Sequence, residues 1–258
     1  MNGFTVVECG CGLARTVLPA GFDPSRIYTQ EYYEGGHRDG YVDYAGRSQE
    51  LRHEFRHVVE ALRVHVPQGK LIELGCAFGY FLDEASSHFD VCGIEISDHA
   101  REACVARGLD VVREATSEVL ASRGPFDAAV MLDVLEHMAD PGEALDRLHA
   151  AMRPRGQLLI TTGDYASLLS RLMGKRWRLM TPPQHLWFFT PATLRALLAR
   201  HGFRVHHFEH PWKTVPLALV AYQAARYLGG QKLVEKFTPP GQIRLNLFDV
   251  MRVVAERV

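Results

Sequence analysis

From Ser48 the apolar positions fall at helical spacing. Leu51, Phe55, Val58, Val59 and Leu62 form one stripe, and Pro67-Gln-Gly69 ends the helix they predict. Residues 1–47, before it, are rich in Gly and Tyr and weakly periodic. After it, short apolar runs alternate with amphipathic segments. Lys70–Leu74, Val91–Ile96, Leu109–Val112, Phe126–Leu132 and Gln157–Thr161 read as strands, and Tyr80–Ser87, Asp98–Arg107, Ser117–Ala121 and Pro141–Met152 as helices. Ser97 or Asp98 suits the N-cap of the second of these helices, and Gly108 its C-cap. Strands separated by helices of this length need crossover connections, which predicts an α/β fold with a mostly parallel sheet covered on both faces. Beyond Thr162 the alternation breaks. It resumes with a helix over Pro191–His201 capped by Thr190, a strand over Phe203–Phe208, a helix over Val215–Tyr227 and a final strand over Leu247–Val254.

Composition narrows the class. The 258 residues carry 29 basic against 30 acidic side chains, a net charge of −1, which argues against a general nucleic-acid or membrane-surface binder. A content of 47% hydrophobic and 23% charged residues is that of a globular chain. No window reaches the roughly 18 uninterrupted apolar residues of a membrane span. The start, MNGFTVVECGCG, has neither the basic n-region nor the apolar run of a secretory signal. Five scattered cysteines (Cys9, Cys11, Cys76, Cys92 and Cys104) do not suggest a disulfide framework, so a reducing cytoplasm is the expected compartment.

The chemistry is concentrated after the first strand. In Leu71-Ile-Glu-Leu-Gly-Cys-Ala-Phe-Gly-Tyr80 a strand runs into a glycine-containing turn and a helix, which lets backbone N–H groups approach a ligand closely. Alone, such glycines are as easily plain turns. Glu95, closing the next strand, sharpens the reading, because one carboxylate accepts from both hydroxyls of a ribose. A dinucleotide site would also use these features, but the G-x-G-x-x-G spacing is missing. Glu73, two residues before the first glycine, would repel a pyrophosphate and suits a cationic ligand better.

These residues resemble motif I of class I S-adenosylmethionine-dependent methyltransferases, with Ala77 in place of the usual middle glycine. Phe126-Asp-Ala-Ala-Val-Met-Leu-Asp-Val-Leu-Glu-His137 is similar to the fourth strand of that family and the loop after it, and the similarity extends from about residue 48 to the C-terminus. The resemblance implies a doubly wound Rossmann-like sheet of seven strands, the last antiparallel, with S-adenosylmethionine as cofactor. It places Gly75, Cys76, Ala77 and Gly79 along the methionine end, Glu73 near its amino group and Glu95 and Ile96 at the ribose and adenine. Ala115 and Thr116 would meet the adenine edge, and Asp133 and Val134 would lie beneath the cofactor.

On the acceptor side, His137 follows the fourth strand, and His185 sits in Pro182-Pro-Gln-His-Leu-Trp-Phe-Phe-Thr190, within a segment similar to that of a subgroup acting on sugars and natural products. Either histidine could take the proton of a hydroxyl acceptor, and either could be structural. Tyr165 and Trp177 read as substrate walls or as core aromatics. Arg171, Lys175, Arg176 and Arg178 read as a solvated face or as a handle for an anionic acceptor, such as a nucleotide sugar or a carrier-bound group.

Metal readings are weak. Cys9-x-Cys11 supplies half of a tetrahedral site at most, and His53-Glu-Phe-Arg-His57 matches H-E-x-x-H without a third ligand, so no metal is expected. The expected organisation is an N-terminal extension over 1–47 that could act as a lid, then a domain over 48–258 with insertions at 164–189 and 211–242. The expected activity is methyl transfer to a hydroxyl of a small molecule, with N- or C-methylation as the alternative. A nicotinamide-dependent oxidoreductase or a noncatalytic cofactor-binding partner is the reading from another class.

Overall fold

The computed structural model of the chain describes residues 3–33, 46, 48–217 and 241–258. A hairpin comes first, β1 (Thr5–Glu8) and β2 (Ala14–Val17), followed by a short helical turn and α1 (Gln30–Tyr33). The central domain then runs α2 (Ser48–Arg63), β3 (Gly69–Leu74), α3 (Tyr80–Ala85), β4 (Phe89–Ile94), α4 (Asp98–Ala106), β5 (Val111–Val112), α5 (Ser117–Arg123), β6 (Phe126–Leu132), α6 (Pro141–Ala151) and β7 (Met152–Gly163). After it come α7 (Leu168–Met173), β8 (Trp187–Phe188), α8 (Pro191–Arg200), β9 (Phe203–Glu209), β10 (Lys213–Pro216), β11 (Gln242–Leu245) and β12 (Val250–Arg257).

The seven-stranded sheet has the order β5-β4-β3-β6-β7-β12-β9. Pairings from β5 through β7 are parallel, and β12 is antiparallel to both its neighbours, as the resemblance implied. The period of two in the strands divides the core. Ile72, Leu74, Ala129 and Met131 face α5, α6 and α8 through Leu120, Leu145, Leu148, Leu194 and Leu198. Leu71, Ala128 and Val130 face Val58, Val59 and Leu62 of α2 and Phe81 and Leu82 of α3. Each such aliphatic side chain contributes about 2 kcal/mol of burial. Capping fixes α8, where Thr190 and Thr193 form a reciprocal box with Pro191 at the first turn. Because the chain leaves β3 outward through β4 and β5 and returns to β6, a crevice opens at the carboxyl ends of β3 and β6.

The segments outside this frame have structure the sequence pattern did not show. The hairpin of β1 and β2 adds β8 as a third antiparallel strand. The helix expected from Val215 is replaced at its start by β10, which pairs with β11; the rest of that prediction, up to Tyr227, lies outside the described residues. The final strand begins at Val250, three residues later than expected, because Asn246 caps a turn by accepting from the Phe248 N–H at 2.9 Å.

Candidate active site

At the end of β3 the backbone turns left-handed three times, with φ of 70° at Gly75, 45° at Ala77 and 69° at Gly79. A Cβ on Gly75 would lie 2.6 Å from Val134, so glycine lets this loop pass directly over the end of β6. Ala77 holds the same conformation with a side chain, at a cost of about 1 kcal/mol. The loop is anchored on β4, where Ile94 O accepts from the Gly75 and Cys76 N–H groups. Cys76 contributes backbone there, since its side chain is buried among Phe81, Leu82 and Cys104. Glu95 ties the loop from the other side. Its two oxygens accept from the Ala77 and Ser97 N–H groups at 2.8 Å each, and the Tyr33 hydroxyl donates to it as well. Burial raises the Glu95 pKa while these donors oppose the rise.

Glu73 lies deeper. Its side chain is buried, and its Oε2 has no hydrogen-bond partner. Burial, then the neighbouring Cys104 and Glu95, push its carboxyl well above the usual range. At the far end of the crevice Ile96 is 37% exposed beside the Ser97 N-cap of α4. Thr116 has a local task, since its hydroxyl caps α5 by accepting from Val119 N at 3.3 Å, and the Ala115 carbonyl accepts from Arg147.

The end of β6 carries the second half of the site. Asp133 has φ of 55°, which aims it away from the strand, and its Oδ1 accepts from the Thr161 hydroxyl at 2.9 Å. Burial alone would raise its pKa, but Lys213, the Thr161 hydroxyl, Arg178 and His185 outweigh that and hold it low. Lys213 also pairs with Glu54 at 3.2 Å, so β10 is pinned to both α2 and β6. Asp133 keeps 41% of its side chain accessible.

His137 and His185 come together here, with ring centroids 4.6 Å apart and edge to face. The tautomers follow from their neighbours. His137 Nδ1–H donates to Gln184 O at 2.9 Å, which leaves a lone pair on Nε2. The His185 ring bonds the Leu179 carbonyl, so its other nitrogen is likewise an acceptor. Burial lowers both, His137 to about 4 and His185 well below its ordinary value, so both imidazoles are neutral at pH 7. The segment bearing His185 is clamped on two sides. Thr16 donates its hydroxyl to His185 O at 2.7 Å and its N–H to Leu186 O, while the Leu186 N–H donates to Glu136 O. The N-terminal hairpin therefore helps build this wall.

Sequence reading passed over several residues that matter here. Glu136 is fully enclosed, and burial with Asp133 nearby raises its pKa to about 8. Its Oε2, the Tyr28 hydroxyl and the Thr181 hydroxyl are buried without hydrogen-bond partners, and Tyr28 touches the His137 ring edge-on at 6.0 Å. Among the described residues, Glu136, His137 and His185 are a group whose donor atoms all lie within 4.8 Å, close enough to share a metal ion. His53 and His57 are exposed and meet edge to face, and Glu54 between them is engaged by Lys213.

The expected substrate walls take structural positions. Trp177 is buried against Ala14 and Phe188, and its indole N–H donates to Asp249 Oδ2 at 3.0 Å. Arg178 meets both oxygens of the same carboxylate at 3.0 Å, so its charge is already matched. Sequence reading left Trp177 between substrate wall and core aromatic and Arg178 between solvated face and anionic handle; both are engaged by Asp249. Tyr165 packs with Trp177 and donates to Glu8 at 3.2 Å, while Lys175 and Arg176 lie exposed on the turn after α7. Asp249→Ala should destabilise the protein by about 3 kcal/mol in urea unfolding, because it strands a buried N–H and a half-buried guanidinium.

A family profile described as a methyltransferase domain matches residues 46–208, more than half of the chain. The chain belongs to the class I S-adenosylmethionine-dependent methyltransferases. A ubiquinone biosynthesis O-methyltransferase from Caulobacter sp. (strain K31) is 31% identical over 153 residues, which cover 53% of this chain and 60% of that protein. The same-named protein of Caulobacter vibrioides is 33% identical over 145 residues, 50% of this chain and 57% of that one. The matched segment thus spans less than two thirds of these relatives.

Two solved structures share the fold. Magnesium protoporphyrin IX methyltransferase from Synechocystis PCC 6803, with bound S-adenosylhomocysteine, aligns with a TM-score of 0.57 at 14% identity, covering 92% of this chain and 100% of that one. An S-adenosylmethionine-dependent methyltransferase from Mesorhizobium loti aligns with a TM-score of 0.51 at 21% identity, covering 77% and 96%.

The crevice of this methyltransferase fits the family's cofactor. An enclosed carboxylate with an unpartnered oxygen at Glu73 is matched by the ammonium of a methionine group. A ribose hydroxyl would donate to the Glu95 carboxylate alongside the Ala77, Ser97 and Tyr33 donors that it already takes. Exposed Ile96 offers an apolar face to a base. Among the described residues, no helix is long and apolar enough to cross a membrane.

Proposed function

We propose that this chain transfers the methyl group of S-adenosylmethionine to a hydroxyl oxygen of a small molecule, a sugar or natural-product intermediate or a quinone-related phenol. The observation that carries the reading is the pair of neutral imidazoles at the end of β6, beside the glycine loop. The name O-methyltransferase on the Caulobacter relatives supports oxygen over nitrogen or carbon.

The bound cofactor supplies an electrophilic methyl group. Glu73 holds the ammonium, Glu95 the ribose, and Ile96 with Ala115 and Thr116 the base, while Gly75, Ala77, Gly79, Asp133 and Val134 shape the floor. His185 or His137 takes the acceptor proton on its free ring nitrogen as the oxygen gains the methyl group. Tyr28 and Thr181 orient the acceptor through hydroxyls that lack protein partners. Lys175 and Arg176 are the contacts we propose for an anionic portion of it.

A second reading, favoured by the unpartnered Glu136 Oε2, has Glu136, His137 and His185 hold a divalent cation that lowers the hydroxyl pKa. Incubation with methyl-labelled S-adenosylmethionine and a panel of phenols, sugars and nucleotide sugars tests both readings. Labelled O-methyl product that survives exhaustive chelation supports the histidine base. Loss on chelation and restoration by added metal supports the cation, and label on nitrogen or carbon alone would refute O-methylation.

A further inference from the structure

We propose that α7 and the turn after it form a contact surface for an anionic lipid bilayer. Leu168 and Leu172 are one helical turn apart on α7 and are 72% and 74% exposed. They are not frayed core. Leu169 and Met173, on the adjoining side of the helix, pack against the cluster of Ala14, Trp177 and Phe188, so α7 is held by one face and shows its other leucines outward. A single exposed leucine needs no explanation, but two on one turn form a patch.

Charge decides what this face fits. Residues 165–208 contain no acidic side chain but carry Arg171, Lys175, Arg176, Arg178, Arg195, Arg200 and Arg204. Asp249 matches Arg178 and Glu256 matches Arg204. Arg171 is exposed between the two outward leucines, and Lys175 follows on the exposed turn. Leucines that enter the acyl boundary, flanked by cations at headgroup level, are the two signals of a surface-bound helix. A nucleic acid would use the cations and leave the leucines in water, while an apolar protein face would leave the cations unmatched. The near-zero net charge of the chain conceals this local field. The proposal is independent of which acceptor the enzyme uses.

Vesicle flotation of the full chain tests it, with phosphatidylcholine alone and with phosphatidylcholine mixed with phosphatidylglycerol. The wild type should float with the anionic vesicles, stay behind with the neutral ones, and be released by salt. The double variant Leu168→Ser, Leu172→Ser alters only exposed positions and should lose anionic-vesicle partitioning by at least about tenfold. Arg171→Glu with Lys175→Glu should lose at least about fivefold per charge. Absence of wild-type flotation overturns the proposal, as does wild-type flotation by both variants. A wild type that ignores vesicles but changes oligomeric mass when the leucines are replaced would mark the face as a protein contact, and that also overturns it.

Discussion

Glu73→Gln should lower the affinity for S-adenosylhomocysteine about 100-fold while leaving the fold intact. The carboxyl is buried with one oxygen unpartnered, and burial raises its pKa well above the usual range. In the free protein burial thus favours the neutral acid, which glutamine imitates in shape and charge. In the complex it must meet an ammonium, and a charge-assisted hydrogen bond of that kind in an enclosed site contributes about 3 kcal/mol. Stability moves the other way. A carboxyl whose folded pKa is raised makes the native state progressively less favourable as pH climbs from the unfolded value toward the folded one. The variant removes that penalty, so its urea midpoint near neutral pH should equal or exceed the wild type's.

The same shift gives ligand binding a sign. Pairing with the ammonium lowers the Glu73 pKa, so a proton leaves on binding, and affinity for S-adenosylhomocysteine rises with pH until the free-state pKa is passed. Calorimetry in buffers of different ionisation enthalpy reads that proton directly. Unchanged affinity in Glu73→Gln, or uptake instead of release, would remove Glu73 from the ligand.

His185→Ala should do the reverse, cutting turnover by about 100-fold or more and leaving S-adenosylhomocysteine affinity within about twofold. The ring is held by the Leu179 carbonyl, and the segment that carries it is clamped by Thr16 and Glu136, so its free nitrogen has a fixed direction. His137→Ala is the companion, since the two rings lie 4.6 Å apart. The pH profile should carry no limb at the ordinary histidine value, because burial lowers both rings. If His137 is the base, activity should fall only as pH approaches about 4. Full turnover in both alanine variants would leave alignment of the two reactants as the source of the rate.

The frame of this enzyme was legible because its strands are buried on both faces. Runs such as Phe126–Leu132 and Lys70–Leu74 have no solvated side, and their apolar continuity survives in a single sequence. The glycine loop and the acids at Glu73 and Glu95 were legible for a related reason, since chemistry there is tied to strand ends. The N-terminal hairpin was not. β1 exposes most of its positions and β8 is two residues long, so neither writes a period into the sequence. Val215 and Pro216 read as the start of a helix because apolar content without pairing information does not separate the two states, and their partner strand lies beyond residue 240. For Trp177 and Arg178 the structural and acceptor readings stayed open because Asp249, which satisfies both, is distant in sequence. Glu136 stood beside His137 in the quoted motif, yet its burial depends on packing by Tyr28 and Thr162, which no local pattern announces.

Titration calorimetry of the full wild-type chain with S-adenosylhomocysteine and, separately, with NADH tests the central claim most directly. One molecule of S-adenosylhomocysteine should bind per chain, with proton release and with about 100-fold weaker binding in Glu73→Gln, and NADH should give no heat. Saturable NADH binding with no response to S-adenosylhomocysteine would contradict the assignment of the crevice between β3 and β6.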